Sequence, residues 1–291
     1  MNTEAAADDF QKFAEQIWRA PTAFRDGLFD GKTVLVTGGG SGIGLAIALL
    51  FAKLNANVAI CGRNAEKLGR VEKFAEAQKV RLLAQQTDIR EPEEIAQLFD
   101  RIASEFGAVD VLVNNAGGQF PKPAIDFSVK GWNAVINNNL NGTWYMMQEA
   151  ARRWSAAKRP GTIVNIVAPT ERGMPGVAHT VAARAGVIGL MNTIAVEWAP
   201  LNIRVNCLSP GLVATSGLEV YPPEARKEFP KANPMKRPGT ATEISEACVF
   251  LASPSASFIT GEVLHADGGY RQWGELWTAG RPEYFRDHSE K

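Results

Sequence analysis

The residues with the clearest chemical purpose form one glycine-rich run, Thr37-Gly38-Gly39-Gly40-Ser41-Gly42-Ile43-Gly44, between a β-branched stretch and a stretch of helical period. Gly38 lets the chain turn tightly, Gly42 lets the backbone approach a pyrophosphate, and Gly44 permits close helix-to-strand packing. Ser41, Gly42 and Ile43 open the helix, whose free N–H groups and positive partial charge would face the phosphates. Further along, at about 20 residues from the turn, stands Cys61-Gly62-Arg63-Asn64. A carboxylate there would bind the adenine ribose 2′-hydroxyl, whereas a guanidinium offers a fixed charge and planar fork suited to a 2′-phosphate. NADP(H) is therefore expected over NAD(H). The alternative is that Arg63 stacks on the adenine and accepts either cofactor. Asp88 and Ile89 fall where an adenine would rest, Asp88 accepting from its exocyclic amine. Asn115, Ala116 and Gly117 are small enough, as a group, to let the backbone pass close to a ribose.

These residues need a scaffold of alternating strands and helices. Expected strands are Thr33–Thr37, Val58–Cys61, Arg81–Thr87, Val111–Asn114, Thr162–Ile166, Arg204–Leu208 and Val263–Ala266; several are apolar throughout, as strands covered on both faces should be. Expected helices are Gly42–Leu54, Ala65–Ala77, Pro92–Phe106, Gly131–Ala157, Val177–Ala199 and Thr242–Ala252. The alternation predicts one doubly wound α/β domain, a parallel sheet of about seven strands with helices on both faces. Residues 1–30 read as an N-terminal extension with an amphipathic helix from about Asp8 to Arg19, presenting Phe10, Phe13, Ile17 and Trp18. Residues 31–269 form the domain, and the proline-rich stretch 210–241 reads as a substrate lid. In the tail, residues 270–291, Trp273, Trp277, Tyr284 and Phe285 suggest docking on this subunit or a neighbour.

Composition excludes other classes. Lys and Arg total 31 against 31 Asp and Glu in 291 residues, a formal net charge of zero, so no basic excess points to nucleic acid. With 45% hydrophobic and 21% charged residues the chain reads as an ordinary globular protein. Cys61, Cys207 and Cys248 are too scattered for a disulfide framework or a metal cluster. No metal is expected, and a reducing, cytoplasmic setting fits best. No secretory signal, membrane span or Ser-Lys-Leu terminus is apparent.

Together with Asn114-Asn115-Ala116-Gly117-Gly118, Asn139, Pro210-Gly211 and Asp267-Gly268-Gly269, the turn resembles the short-chain dehydrogenase/reductase family from about Phe29 to Gly269. The resemblance implies a Rossmann domain, a nicotinamide cofactor contacted also by Pro210, Gly211 and Val213, and a homotetramer or homodimer built on the two long helices. That family uses a Tyr, a Lys four residues later, an upstream Ser and an Asn for proton transfer. Here Thr180 takes the Tyr position, Arg184 the Lys position and Ala168 (or Val167) the Ser position; Asn139 is kept.

A threonine hydroxyl is too weak an acid for the tyrosine's shuttle, and arginine does not give up its proton. Carbonyl reduction, which must protonate a developing alkoxide, is impaired; hydride addition to an activated C=C bond asks for less, because neutral donors can stabilise an enolate on a thioester oxygen. Asn114 to Phe120, Lys130-Gly131-Trp132, Asn139 to Met146, Pro169 to Val187 and Ser253 to Gly261 look like the peroxisomal trans-2-enoyl-CoA reductase branch, and the related dienoyl-CoA reductases also lack the Tyr; some features are similar to citronellol-type dehydrogenases. The expected activity is reduction of an enoyl- or dienoyl-CoA, with an alcohol or ketone oxidoreductase and a catalytically silent nucleotide-binding protein as alternatives. On this reading Thr180 donates to the thioester oxygen, Thr170 is a second donor, Arg184 orients the nicotinamide ribose, and Asn139 holds a water or the helix geometry. His179 should point away from Thr180, being its neighbour at a helix start. Basic Arg226, Lys227, Lys231, Lys236 and Arg237 could meet coenzyme A phosphates or form a solvated loop.

Overall fold

The structure is a computed structural model that describes residues 3–274 and residue 278. Trp277, Tyr284 and Phe285, expected to dock, lie outside the described residues. Seven strands, β1 (Thr33–Thr37), β2 (Asn57–Gly62), β3 (Leu82–Gln86), β4 (Val111–Asn114), β5 (Gly161–Ile166), β6 (Ile203–Pro210) and β7 (Val263–Ala266), form one parallel sheet. Their order is β3-β2-β1-β4-β5-β6-β7. Strand order reverses between β1 and β4, and an open α/β sheet has its ligand crevice at the carboxyl ends of the strands beside such a reversal.

The strands read as continuous apolar runs because successive side chains enter two different cores. Val34 and Val36 of β1, Val58 and Ile60 of β2, and Val111 and Val113 of β4 enter one core, shared with α2 (Gly42–Lys53) and α9 (Ala241–Ala252). The intervening Leu35, Ala59 and Leu112 enter the other, against α4 (Pro92–Phe106), α6 (Gly142–Ala156) and α7 (Ala178–Trp198). The first helix, α1 (Thr3–Arg19), is longer than its apolar pattern marks. Ala14 and Ile17 join the first core, and Trp18 packs edge-on to Phe74 of α3 (Ala65–Ala77). Lys53 donates to the carbonyls of Trp18 and Ala20, closing the end of α1 with a cation where the helix dipole favours one.

Two expectations are corrected. The helix expected over Gly131–Ala157 is α5 (Val129–Ile136) and α6 separated by a π turn, Asn137–Asn141. Contacts distant in sequence accompany the turn: Asn139 sets its amide onto residue 118, and Gly142 lies so close to Ile89 that a Cβ would sit 2.8 Å from that side chain. Segment 210–241 is not a plain loop. It holds 3₁₀ turns at Ser216–Val220 and Phe229–Ala232 around α8 (Pro223–Glu228), whose proline at the helix start needs no N–H partner. A bridge between Val213 and Gly239 closes its base.

Candidate active site

A cleft of about 710 Å³ runs along the carboxyl ends of β1, β4, β5 and β6 and joins, around Gly38, Ser41, Lys67 and Ala116, a smaller hollow of about 210 Å³ beside β2. The glycine-rich turn forms the floor. Gly38 and Gly42 take positive φ, and a Cβ on Gly44 would lie 2.4 Å from the Gly38 carbonyl oxygen. Ser41 precedes α2 in extended backbone, and its side chain caps no N–H of that helix. The first-turn N–H groups of α2 thus face the cleft without a side-chain acceptor, which is the donor set a pyrophosphate requires.

The turn is stitched to β4. Asn115 Nδ2 donates to the carbonyls of Thr37 and Gly38 at 3.0 and 3.3 Å, while the Thr37 hydroxyl accepts from the N–H groups of Asn115 and Ala116. Thr37 was not among the expected site residues; a β-branched residue at a strand end gives no sign of that role.

Arg63 and Asn64 line the smaller hollow, with Arg63 exposed. Asn64 Oδ1 accepts from the Lys67 N–H and caps α3. Lys67, in the first turn of α3, lines both hollows and supplies a second cation. Asp88 and Ile89 also line the smaller hollow. The Asp88 carboxylate, however, is engaged by Arg90 through both oxygens, which holds it below its usual range.

Pro210, Gly211 and Val213 line the larger cleft with Asn139, Thr180 and Arg184. Asn139 Nδ2 donates to the Gly118 carbonyl and its Oδ1 accepts from the Gly118 N–H, both at 3.0 Å. Arg184 reaches in from α7 and is only 7% exposed. Its guanidinium donates to the carbonyls of Asn139 and Ala116 at 3.4 and 3.3 Å and meets no carboxylate among the described residues. Burial pulls it down from 12.5 to about 10, and burial also pushes the Cys207 thiol near it up to about 12. Space for the guanidinium exists because residue 117 is glycine; a Cβ there would lie 2.2 Å from Arg184 Nη2.

Thr180 is buried at the start of α7. Contrary to expectation, His179 does not point away: its Nδ1 accepts from the Thr180 N–H at 2.7 Å and lies 3.3 Å from Thr180 Oγ1. The ring bends back because Phe127 stacks on it at 4.5 Å and Phe120 meets it edge-on at 4.6 Å. Burial pushes His179 down, against the backbone groups of Val177 and Phe120, which push it up. Thr170 is not on the cleft wall, and its N–H donates to its neighbour Glu171. Ala168 and Val167, the two residues on which the expected serine position falls, are both on the wall and carry no hydroxyl.

The outer wall combines Met174, Pro175, Leu218 and Phe229 with the polar pair Gln119 and Tyr221, neither of which was expected. Of the basic residues in segment 210–241, Lys227, Lys231 and Arg237 are ion-paired to Glu224, Glu228 and Glu243, and none of the five is on the cleft wall. No helix among the described residues is long and apolar enough to cross a membrane.

A family model described as enoyl-(acyl carrier protein) reductase matches residues 38–271. Similarity extends to a Bacillus subtilis protein named probable 2,4-dienoyl-CoA reductase, 38% identical over 83% of this chain and 96% of the relative. A 3-oxoacyl-[acyl-carrier-protein] reductase, FabG, of Chlamydia trachomatis is 37% identical over 84% of this chain and 98% of its own length. Among solved structures, the citronellol catabolism dehydrogenase AtuB of Pseudomonas aeruginosa superposes with a TM-score of 0.78 at 39% identity, covering 87% of this chain and all of that one. The chain belongs to the short-chain dehydrogenase/reductase family of oxidoreductases.

Proposed function

We propose that the protein is an NADP(H)-dependent reductase acting on the C=C bond of an enoyl- or dienoyl-CoA thioester. The observation that carries this reading is the make-up of the cleft wall: Thr180, Arg184 and Ala168 line it, and by the resemblance they take the positions at which the family's carbonyl chemistry uses a phenol, an ammonium and a serine hydroxyl. The name of the Bacillus subtilis relative supports the same substrate class.

When bound, the reduced nicotinamide supplies the hydride. The α2 N-terminus would hold the pyrophosphate, Arg63 the 2′-phosphate, the backbone at Asn115–Gly117 the ribose, and Arg184 the nicotinamide ribose hydroxyls. Asn139 keeps the Gly118 backbone in place, fixing the edge of the substrate space. As charge gathers on the thioester oxygen, Thr180 donates a hydrogen bond to it. The α-carbon proton comes from water, so no side chain need act as a strong acid. The three cysteines are buried free thiols, in keeping with a cytoplasmic setting. Assembly as a homodimer or homotetramer would cover the exposed Val129, at 77%, and Val196, at 75%, on α5 and α7.

A second reading, reduction of a ketone or oxidation of an alcohol, draws on the comparable identity of the FabG and AtuB relatives. Purified protein with NADPH, assayed separately with crotonyl-CoA, a dienoyl-CoA and a panel of small ketones, distinguishes them. Oxidation of NADPH with the CoA esters alone is the expected result; turnover with ketones alone refutes the C=C reading.

A further inference from the structure

The loss of the family's phenol at position 180 raises the question of which other group can donate to a carbonyl oxygen in this cleft. Two tyrosines line it, Tyr221 and Tyr270. Tyr270 directs its hydroxyl to the Gly173 carbonyl at 3.5 Å. Tyr221 is placed differently. It follows the 3₁₀ turn Ser216–Val220, its N–H donates to the Leu218 carbonyl at 3.1 Å, and Pro222 and Pro223 come directly after it. Its ring is fixed edge-on to Phe229 at 5.3 Å.

Its hydroxyl oxygen accepts from Gln119 Nε2 across 102 positions of sequence. Gln119 belongs to the same short segment as Gly117, which makes room for Arg184, and Gly118, which Asn139 clamps. The pair therefore ties segment 210–241 to the part of the floor that carries the catalytic wall. Polarity decides what the phenol does. Because the amide is the donor, the Tyr221 proton is uncommitted: it is given to no acceptor among the described residues. A hydroxyl that accepts one hydrogen bond is a stronger donor in the next. Thr180, by contrast, has a competing acceptor in His179 Nδ1 at 3.3 Å.

We propose that Tyr221 is a catalytic hydrogen-bond donor to the thioester oxygen of the substrate, with Gln119 as the residue that positions it. This rests on the C=C reading for its substrate. As the β-carbon is reduced, the Tyr221 O–H donates to the enolate oxygen without surrendering its proton. Water protonates the α-carbon, and the C=C π bond is replaced by two C–H bonds. Burial raises the phenol above its ordinary value of 10, which keeps it a donor across the neutral range.

The test compares wild type, Tyr221→Phe and Gln119→Glu. The glutamate offers acceptors alone and draws the phenol proton to itself, silencing the donor while keeping the ring. With crotonyl-CoA and NADPH, both variants are expected to lose about 100-fold in kcat with KM within about threefold, the effect of removing one donor from an oxyanion site. NADPH affinity, measured by fluorescence, should not change. A second readout needs no cofactor: acetoacetyl-CoA binding should enhance its ultraviolet enolate band in wild type and fail to do so in both variants. Wild-type-like kcat and an undiminished enolate band in Tyr221→Phe overturn the assignment. If wild type reduces only ketones, the C=C reading fails and the assignment to the thioester oxygen is overturned with it; the enolate band then shows whether Tyr221 donates to a carbonyl at all. Absence of wild-type turnover on either substrate class overturns both.

Discussion

Replacing Arg184 by methionine should stabilise the cofactor-free protein while weakening its hold on the cofactor. The guanidinium is 7% exposed, faces no carboxylate among the described residues, and has as acceptors only two carbonyls at 3.3 and 3.4 Å. Its lowering from 12.5 to about 10 is a desolvation effect and corresponds to a cost on the order of 3 kcal/mol for keeping the cation. Because the folded value lies below the unfolded one, the penalty is fully present at neutral pH and is relieved only as pH rises through about 10. Methionine fills a similar volume without a charge. The Asn139 carbonyl keeps a partner in the Thr143 hydroxyl at 3.0 Å, whereas the Ala116 carbonyl loses its own, returning roughly 1 kcal/mol of the gain. A net stabilisation of about 1–2 kcal/mol should raise Tm by a few degrees in differential scanning calorimetry. Saturating NADPH should then raise Tm more in wild type than in Arg184→Met, since the variant has lost the charge proposed to meet the ribose. A lower Tm for the cofactor-free variant would refute the view of Arg184 as an uncompensated charge kept for a ligand.

Other outcomes follow from the same geometry. Gly117→Ala places a methyl 2.2 Å from Arg184 Nη2, so calorimetric NADPH affinity should fall at least about tenfold with little change in urea midpoint. Gly44→Ala drives a methyl to 2.4 Å from the Gly38 carbonyl oxygen; a loss of about 2–4 kcal/mol in denaturant unfolding is expected, of the size of core overpacking with a displaced main chain. Arg63→Ala, at an exposed position, should erase a preference for NADPH over NADH in parallel titrations without moving Tm. Glu243 is held at about 2, first by Arg237 and then by the Thr240 backbone, so its contribution is complete above 4.5 and disappears as pH falls from 4.5 to about 2. The stability difference between wild type and Glu243→Gln, of about 1 kcal/mol for a half-exposed pair, should vanish across that window.

The parts of this fold legible in the sequence are those where backbone geometry dictates residue type locally. A strand buried on both faces needs an unbroken apolar centre, and residues 34–36 of β1 and 111–113 of β4 announce themselves accordingly. The glycine-rich turn is legible for the same reason, since no side chain fits at residue 44. The π turn at Asn137–Asn141 is not, because the apolar pattern of α5 runs on into α6 and one wide turn shifts it too little to notice. Nor was the bend of His179 back onto Thr180, which is imposed by Phe120 and Phe127 from a segment more than fifty positions earlier. The Gln119–Tyr221 pair is further from reach, because neither residue is unusual where it stands and only the closing of segment 210–241 brings them together.

Arg184 shows how a local departure and a global balance can coexist. The chain's charges cancel, yet one cation is held deep in the cleft by backbone carbonyls alone, in a space that exists because residue 117 lacks a side chain. A lysine there could shed its proton and relieve the cost of burial, and in a relay it would do so usefully. An arginine stays charged at neutral pH even when lowered to about 10. The substitution therefore trades a titratable group for a permanent one. It is compatible with orientation of a polar ligand and incompatible with supplying protons, which is why hydrogen-bond donation to the substrate should fall to hydroxyls of the cleft.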